Sequence, residues 1–196
     1  MSFGMPDPPE GGLCLSAFIV ITDERHANSV LMGHLNPKAP WDHIGALDAS
    51  RVEVHSKGWM LPSSHLLVYE SPQEAAKRIL REQLETDLRV SGPDVVSETY
   101  TPKRFPDLPR HWDIEFIFKG KTSQDHITKP FAWSELAFVN LDSTKKTEIA
   151  RSHEDILEYA GLAFKHPQLG YHQKGKLPQS YVYEESPGSN PVARTS

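Results

Sequence analysis

The amino-acid sequence predicts an α+β sandwich built around a central mixed sheet. Three observations carry this: two apolar segments near the start, one well-capped amphipathic helix near the middle, and an alternating strand followed by a second helix. Leu13–Thr22 (LCLSAFIVIT) is a nearly continuous apolar run rich in Ile, Val and Phe, and reads as a buried strand. Asp23–Asn28 is a polar turn, and Ser29–Leu35 (SVLMGHL) reads as the hairpin partner.

Asn36–Lys57 opens on Pro37 and Pro40 and reads as an irregular loop with one short strand over Val52–His55. Gly58–Tyr69 reads as a short extended piece, a Pro62-Ser63-Ser64 turn and another apolar run. The helix that follows is the clearest element. Ser71 is an N-cap, Pro72 is its first residue, and Glu74 completes a capping box. Ala76, Ile79, Leu80 and Leu84 recur at helical spacing as one apolar face, and the helix is expected to end near Asp87.

Val95–Thr101 and Trp112–Phe118 read as strands, joined by the proline-rich loop Pro102–Arg110 with Lys103, Arg104 and Arg110. In the second strand Trp112, Ile114, Phe116 and Phe118 occupy one face, and Asp113, Glu115 and Ile117 the other. Ala132–Val139 is extended, and a last helix starts at Thr147 or Ser152 and runs to about Phe164.

The chain has 196 residues, enough for one domain with a substantial core. That domain is placed at residues 13–165, after a flexible arm over 1–12 and before a partly disordered extension over 166–196. A formal net charge of −5 argues against general nucleic-acid binding, which runs on phosphate neutralisation by Lys and Arg. The single cysteine, Cys14, excludes an intrachain disulfide and reads as a buried, inert thiol. No apolar stretch of about twenty residues is present, so no membrane-spanning helix is expected. The N-terminus lacks the basic start and apolar centre of a secretion signal, and the expected location is the cytoplasm.

The stretch Gly58–Leu88 (GWMLPSSHLLVYESPQEAAKRILREQLETDL) carries the chemistry. It resembles the box of the Nudix hydrolases, G-x5-E-x7-R-E-U-x-E-E-x-G-U, where U is aliphatic. Anchored on Glu70, the pattern finds Arg78, Leu80 and Glu82 in place, with Trp59 and Pro62 in the run-up. It also finds departures. Ser64 stands for the first glycine, Ile79 for the glutamate after the arginine, Gln83 for the second paired glutamate, and Glu85 and Thr86 for the closing glycine and aliphatic residue.

The resemblance implies a Nudix-type α/β/α sandwich with a central mixed sheet. It implies Mg²⁺ or Mn²⁺ held by glutamates on one helix face, because such ions want hard anionic oxygens. It implies a nucleotide-like small-molecule ligand whose pyrophosphate that metal presents to water. Residue by residue, Glu82 is the metal ligand, Arg78 its orienting partner, and Glu70 ties the loop to the helix. An alternative register takes Arg81-Glu82 as the Arg-Glu pair and adds Glu85 as a second metal carboxylate. For Glu82 the plain alternative is a solvated residue paired with Arg78.

Outside the box, His111, Asp113 and Glu115 read as a solvated strand face, with a cleft-facing row as the alternative. Glu148, Glu154 and Asp155 are a reserve of carboxylates, and none of the ten histidines sits at a metal-ligand spacing beside a third ligand. The resemblance puts a metal-dependent hydrolase first, cutting a nucleoside diphosphate linked to another moiety. The loss of carboxylates at Ile79 and Gln83 supports the alternative, a catalytically inactive module that binds a nucleotide or a protein. Many members of the family dimerise, which leaves a homodimer open, although nothing in the sequence marks a dimer face.

Overall fold

The computed structural model describes residues 11–45, 47, 52–53, 56–100, 111–123, 126–150 and 153–165. Strands β1 (Leu13–Asp23) and β2 (Ser29–Leu35) form the expected antiparallel pair. A short helix α1 (Trp41–Ile44), strand β3 (Ser63–His65) and the long helix α2 (Pro72–Leu84) follow. Strands β4 (Ser91–Tyr100), β5 (His111–Thr122) and β6 (Trp133–Asn140) complete the sheet, and helix α3 (His153–Tyr159) closes the described part.

The six-stranded sheet runs β4-β5-β1-β2-β6, with β3 paired to β1. β1 and β5 are parallel over their whole length, whereas β1–β3, β2–β6 and β4–β5 are antiparallel. The mixed sheet expected from the sequence is therefore present. β1 is its centre: its first half lies beside β3 and its last residues beside β2.

Side-chain alternation along β1 divides the core in two. Ala17, Ile19 and Ile21 face α1 and α2, where Trp41, Ala75, Ala76, Ile79, Leu80 and Leu84 meet them. Phe18 and Val20 face α3, against Ile156 and Leu157. This gives helices on both faces of a central sheet. The two sides are tied at both ends. Trp133 of β6 packs edge-on against Trp41, and an added Cβ at Gly33 would lie 2.4 Å from the Trp133 ring. On the other side His153 stacks edge-on against Phe18 and its Nδ1 accepts the Leu61 backbone N–H at 3.0 Å.

α2 starts as its sequence dictates: the Ser71 hydroxyl accepts the Glu74 backbone N–H, and the Glu74 carboxylate accepts the Ser71 backbone N–H. It ends at Leu84 rather than near Asp87, because Glu85 turns into the left-handed region (φ 49°). Ser63–His65, expected as part of a turn, is a strand, since β1 offers it a free edge. Val52 and Glu53 are helical rather than extended, with Ser56 N–H donating back to the Val52 carbonyl. β4 begins earlier than expected, at Ser91. The last helix is shorter than expected, and Gly161 (φ 87°) follows its end. The loop Pro102–Arg110, residues 1–10 and residues 166–196 lie outside the described residues. No helix among the described residues is long and apolar enough to cross a membrane.

Candidate functional site

The box begins with a clamp. Arg78, buried on α2, donates from Nε to Glu70 Oε1 at 2.7 Å and from one terminal nitrogen to Glu70 Oε2 at 2.8 Å. Its terminal nitrogens also reach Ser64 Oγ at 3.1 Å and the His65 carbonyl at 3.0 Å. A planar guanidinium with fixed donors suits this work, since it satisfies a carboxylate with two parallel bonds and still holds the adjacent strand. Glu70 accepts in turn from the Leu67 backbone N–H at 2.9 Å. The loop between β3 and α2 is thus fixed by one buried ion pair, in the register anchored on Glu70 and Arg78. Arg81 is exposed and lies 4.0 Å from Glu82, without a grip on the loop.

From Ile79 onward the α2 residues take other roles. Ile79 is fully buried in the core beneath the sheet. Gln83 has 0% exposure, and its amide is committed on both sides. Nε2 donates to the Ser63 carbonyl at 2.7 Å and to the Ile44 carbonyl at 3.0 Å, while Oε1 accepts from the Ser63 N–H at 3.1 Å. Its own carbonyl accepts the Trp133 indole N–H at 2.7 Å. An amide can make this set of bonds. A carboxylate cannot, because it has no hydrogen to give two carbonyls.

Glu82 is partly open, with its side chain 33% exposed, and Glu85 is exposed at the end of the helix. Among the described residues no group of three His, Cys, Asp or Glu side chains could hold a metal ion. The donors here therefore do not fit the Mg²⁺ or Mn²⁺ site that the resemblance implies, since hard cations want several converging anionic oxygens.

A second polar feature differs from the solvated strand face that the sequence pattern predicts. His111, Asp113 and Glu115 were expected on a solvated strand face, but all three are buried, Asp113 and Glu115 at 9% and 7% exposure. The parallel register explains it. Cys14 lies beside Asp113 and Ser16 beside Glu115, while β3 brings His65 beside Ser16 on the other side. These six side chains form one polar row on the α3 face of the sheet, beyond the end of the apolar core there.

Cys14 Sγ is 3.6 Å from His65 Nε2 and 3.8 Å from Ser16 Oγ, and His111 Nε2 is 3.4 Å from Asp113 Oδ1. Burial, reinforced by the Asp113 charge, pushes the Cys14 thiol up to about 12, so it is protonated and a poor nucleophile. The sequence signal for this row was the alternation of Cys14 and Ser16 with Leu13 and Leu15, hidden inside what reads as one apolar run. Glu154 and Asp155 lie on α3, across the sheet from α2, and Glu148 sits in a short 3-10 turn (Lys146–Glu148) whose last carbonyl accepts the Trp59 N–H. Lys103, Arg104 and Arg110 lie outside the described residues.

No family model matches the chain, and no curated protein does. Solved structures do match it. A mutT/nudix family protein from Listeria innocua superposes with a TM-score of 0.52 at 20% identity, over 78% of this chain and 92% of that one. The NUDIX domain of Shewanella oneidensis NrtR, solved in complex with ADP ribose, gives 0.51 at 14% identity, over 80% and 88%. A bifunctional NMN adenylyltransferase/ADP ribose pyrophosphatase from Francisella tularensis gives 0.50 at 16% identity, over 79% of this chain and 41% of that one.

Proposed function

We propose, for a chain that has the Nudix fold, that it binds a nucleotide-like ligand and does not hydrolyse it through the box helix. Gln83 carries this reading. At the position where the family resemblance wants a metal carboxylate stands a buried amide that holds Ser63 and Ile44 in place. With Ile79 in the core, two of the three box positions serve packing, and Glu82 alone is too little for a divalent ion.

What the chain keeps is the part that shapes a site. The Arg78–Glu70 clamp fixes the loop, and a fixed loop lowers the entropy lost when a ligand is bound. Ser16, Cys14 and His65, half-buried beside the buried Asp113 and Glu115, offer polar groups at the edge of that loop. Such groups suit the hydroxyls and ring nitrogens of a nucleoside. Of the structures with the same fold, one is a complex with ADP ribose and another is a bifunctional enzyme with ADP ribose pyrophosphatase activity, which makes ADP-ribose the first ligand to try.

The test is calorimetric titration of the full chain with ADP-ribose, with and without Mg²⁺ or Mn²⁺. A chromatographic assay for cleavage runs beside it on nucleoside triphosphates, NADH, diadenosine polyphosphates and nucleotide sugars. The expected result is binding that ignores the metal, weakens in His65→Leu, and releases no product. Metal-dependent turnover that falls at least tenfold in Glu82→Gln, about 1.4 kcal/mol of transition-state stabilisation, would restore the hydrolase reading. A chain that binds none of these compounds would refute the ligand class.

A further inference from the structure

The end of the sheet away from the box loop carries an open groove of about 570 Å³. It lies where the parallel strands β1 and β5 finish and β4 begins. Thr22, Ser91, Lys119 and Lys121 line it, together with Arg89 from the segment that leads from α2 into β4. Thr22 stands well beyond Ser16 on β1, about 20 Å further at the rise of a strand, so the groove is separate from the polar row. Among the described residues three cations and no carboxylate line it, in a chain of net charge −5. The local sign is thus opposite to that of the whole protein.

The fold builds this collection from distant segments. Leu88 and Val90 pack on the apolar core and leave Arg89, between them, exposed. They cross β5 at Gly120, where an added Cβ would lie 3.1 Å from Val90 and 3.3 Å from Leu88. Lys119 and Lys121 share one face of β5, and Thr22 is the register partner of Lys121. Asp94 holds Lys119 at 2.7 Å, but both side chains are open, at 63% and 41% exposure. Such exposed pairs hold weakly, so an incoming anion can share Lys119. Among the described residues Arg89 and Lys121 have no carboxylate partner. The Thr22 hydroxyl donates to the Gly120 carbonyl at 3.4 Å, and the Ser91 hydroxyl to the Lys119 carbonyl at 3.3 Å. Both cover oxygens that would otherwise repel an anion. Asp23, the next residue of β1, accepts the Arg25 backbone N–H at 2.9 Å and lies 3.3 Å from His26 Nδ1, so the β1–β2 turn takes up its charge.

We infer that this groove is a second binding site, for a small oligophosphate. Three cations around one groove suit a compact ligand with several negative charges, which linked phosphoryl groups supply and a single carboxylate does not. Arg89 offers a planar fork that fits two phosphoryl oxygens, and the two lysines act as point charges. The volume falls within the range of small-molecule sites, roughly 300–1,000 Å³. The phosphate backbone of a nucleic acid has the same chemistry, but stable binding there draws on roughly six to ten phosphate contacts. Three cations are too few for that and enough for one short chain of phosphates. The groove fills whether or not the box loop binds ADP-ribose.

The experiment titrates the ¹⁵N-labelled full chain with inorganic triphosphate and follows its amide resonances at low and high salt. The expected result is saturable binding that shifts the Gly120 and Lys121 signals and weakens as salt rises. Arg89→Gln and Lys121→Gln are each expected to weaken it about tenfold. Both positions are exposed, so the fold survives either change. Lys38→Gln removes one equal charge at an exposed position outside the groove and is expected to change nothing. Absence of binding overturns the inference. So does a loss in Lys38→Gln as large as in the groove variants, which would mean a response to overall charge. Shifts confined to Ser63–Arg78 would overturn it by placing the anion at the box loop. A single-stranded oligonucleotide that binds the groove where triphosphate does not would overturn the ligand class.

Discussion

Putting the family's carboxylate back at position 83 is expected to damage the protein rather than repair it. In Gln83→Glu, an oxygen replaces the Nε2 that donates at 2.7 Å to the Ser63 carbonyl and at 3.0 Å to the Ile44 carbonyl. Two buried carbonyls lose their donor and face a like-charged atom instead. Each unsatisfied group costs about 1–3 kcal/mol, and an unpaired buried charge adds to that, so the substitution should cost about 3–5 kcal/mol. For a chain of this length that lowers the melting temperature by roughly 6–20 °C.

The deficit should also depend on pH. Burial disfavours the charged carboxylate, so the folded state raises its pKa above the unfolded value of about 4.3. The folded variant then holds a proton more tightly than the unfolded chain. Its stability relative to the parent recovers as pH falls through the folded pKa and is lowest above it. Thermal and urea unfolding of parent and variant from pH 4.5 to 8 measure this, with Gln83→Met as a control whose deficit is flat across the range. A Gln83→Glu protein as stable as the parent at neutral pH, or one that Mg²⁺ stabilises where the parent is indifferent, would refute the reasoning. Either outcome would mean that the side chain can reach solvent and the helix can still serve a metal.

Other expectations concern the clamp, the thiol and the cap. Arg78→Ala leaves Glu70 buried without its partner and should cost about 3–5 kcal/mol in urea unfolding; Glu82→Gln, at a partly open position, should change the same unfolding free energy by less than about 0.5 kcal/mol. Cys14 alkylation at pH 8 should be slower than that of free cysteine by a factor on the order of 10³ and should speed up about tenfold per pH unit, because a thiol at about 12 is almost wholly protonated there; a rate equal to that of free cysteine would contradict the burial of the polar row. Ser71 hydrogen bonds hold the Glu74 carboxyl below its ordinary range, so its contribution is complete above that range and is lost as pH falls through the folded value. Thermal scans should therefore show Glu74→Gln less stable than the parent at neutral pH and equal to it in acid.

Local pattern along the chain is enough for several parts of the molecule. The capping box and the spacing of Ala76, Ile79, Leu80 and Leu84 dictate α2, and the first two strands follow from apolar runs broken by a polar turn. The eight-residue step from Glu70 to Arg78 located the clamp that the structure places there. Other features arise between segments far apart in the chain. Whether Gln83 faces a metal or a carbonyl depends on where Ile44 and Ser63 stand, 39 and 20 residues away. Which side of β5 is buried depends on β1 lying parallel beside it and β3 beyond, so that His111, Asp113 and Glu115 meet Cys14, Ser16 and His65 while Trp112 is left open. Alternation along a strand says that two faces differ. Only the neighbours that the fold supplies decide which of them is turned away from water.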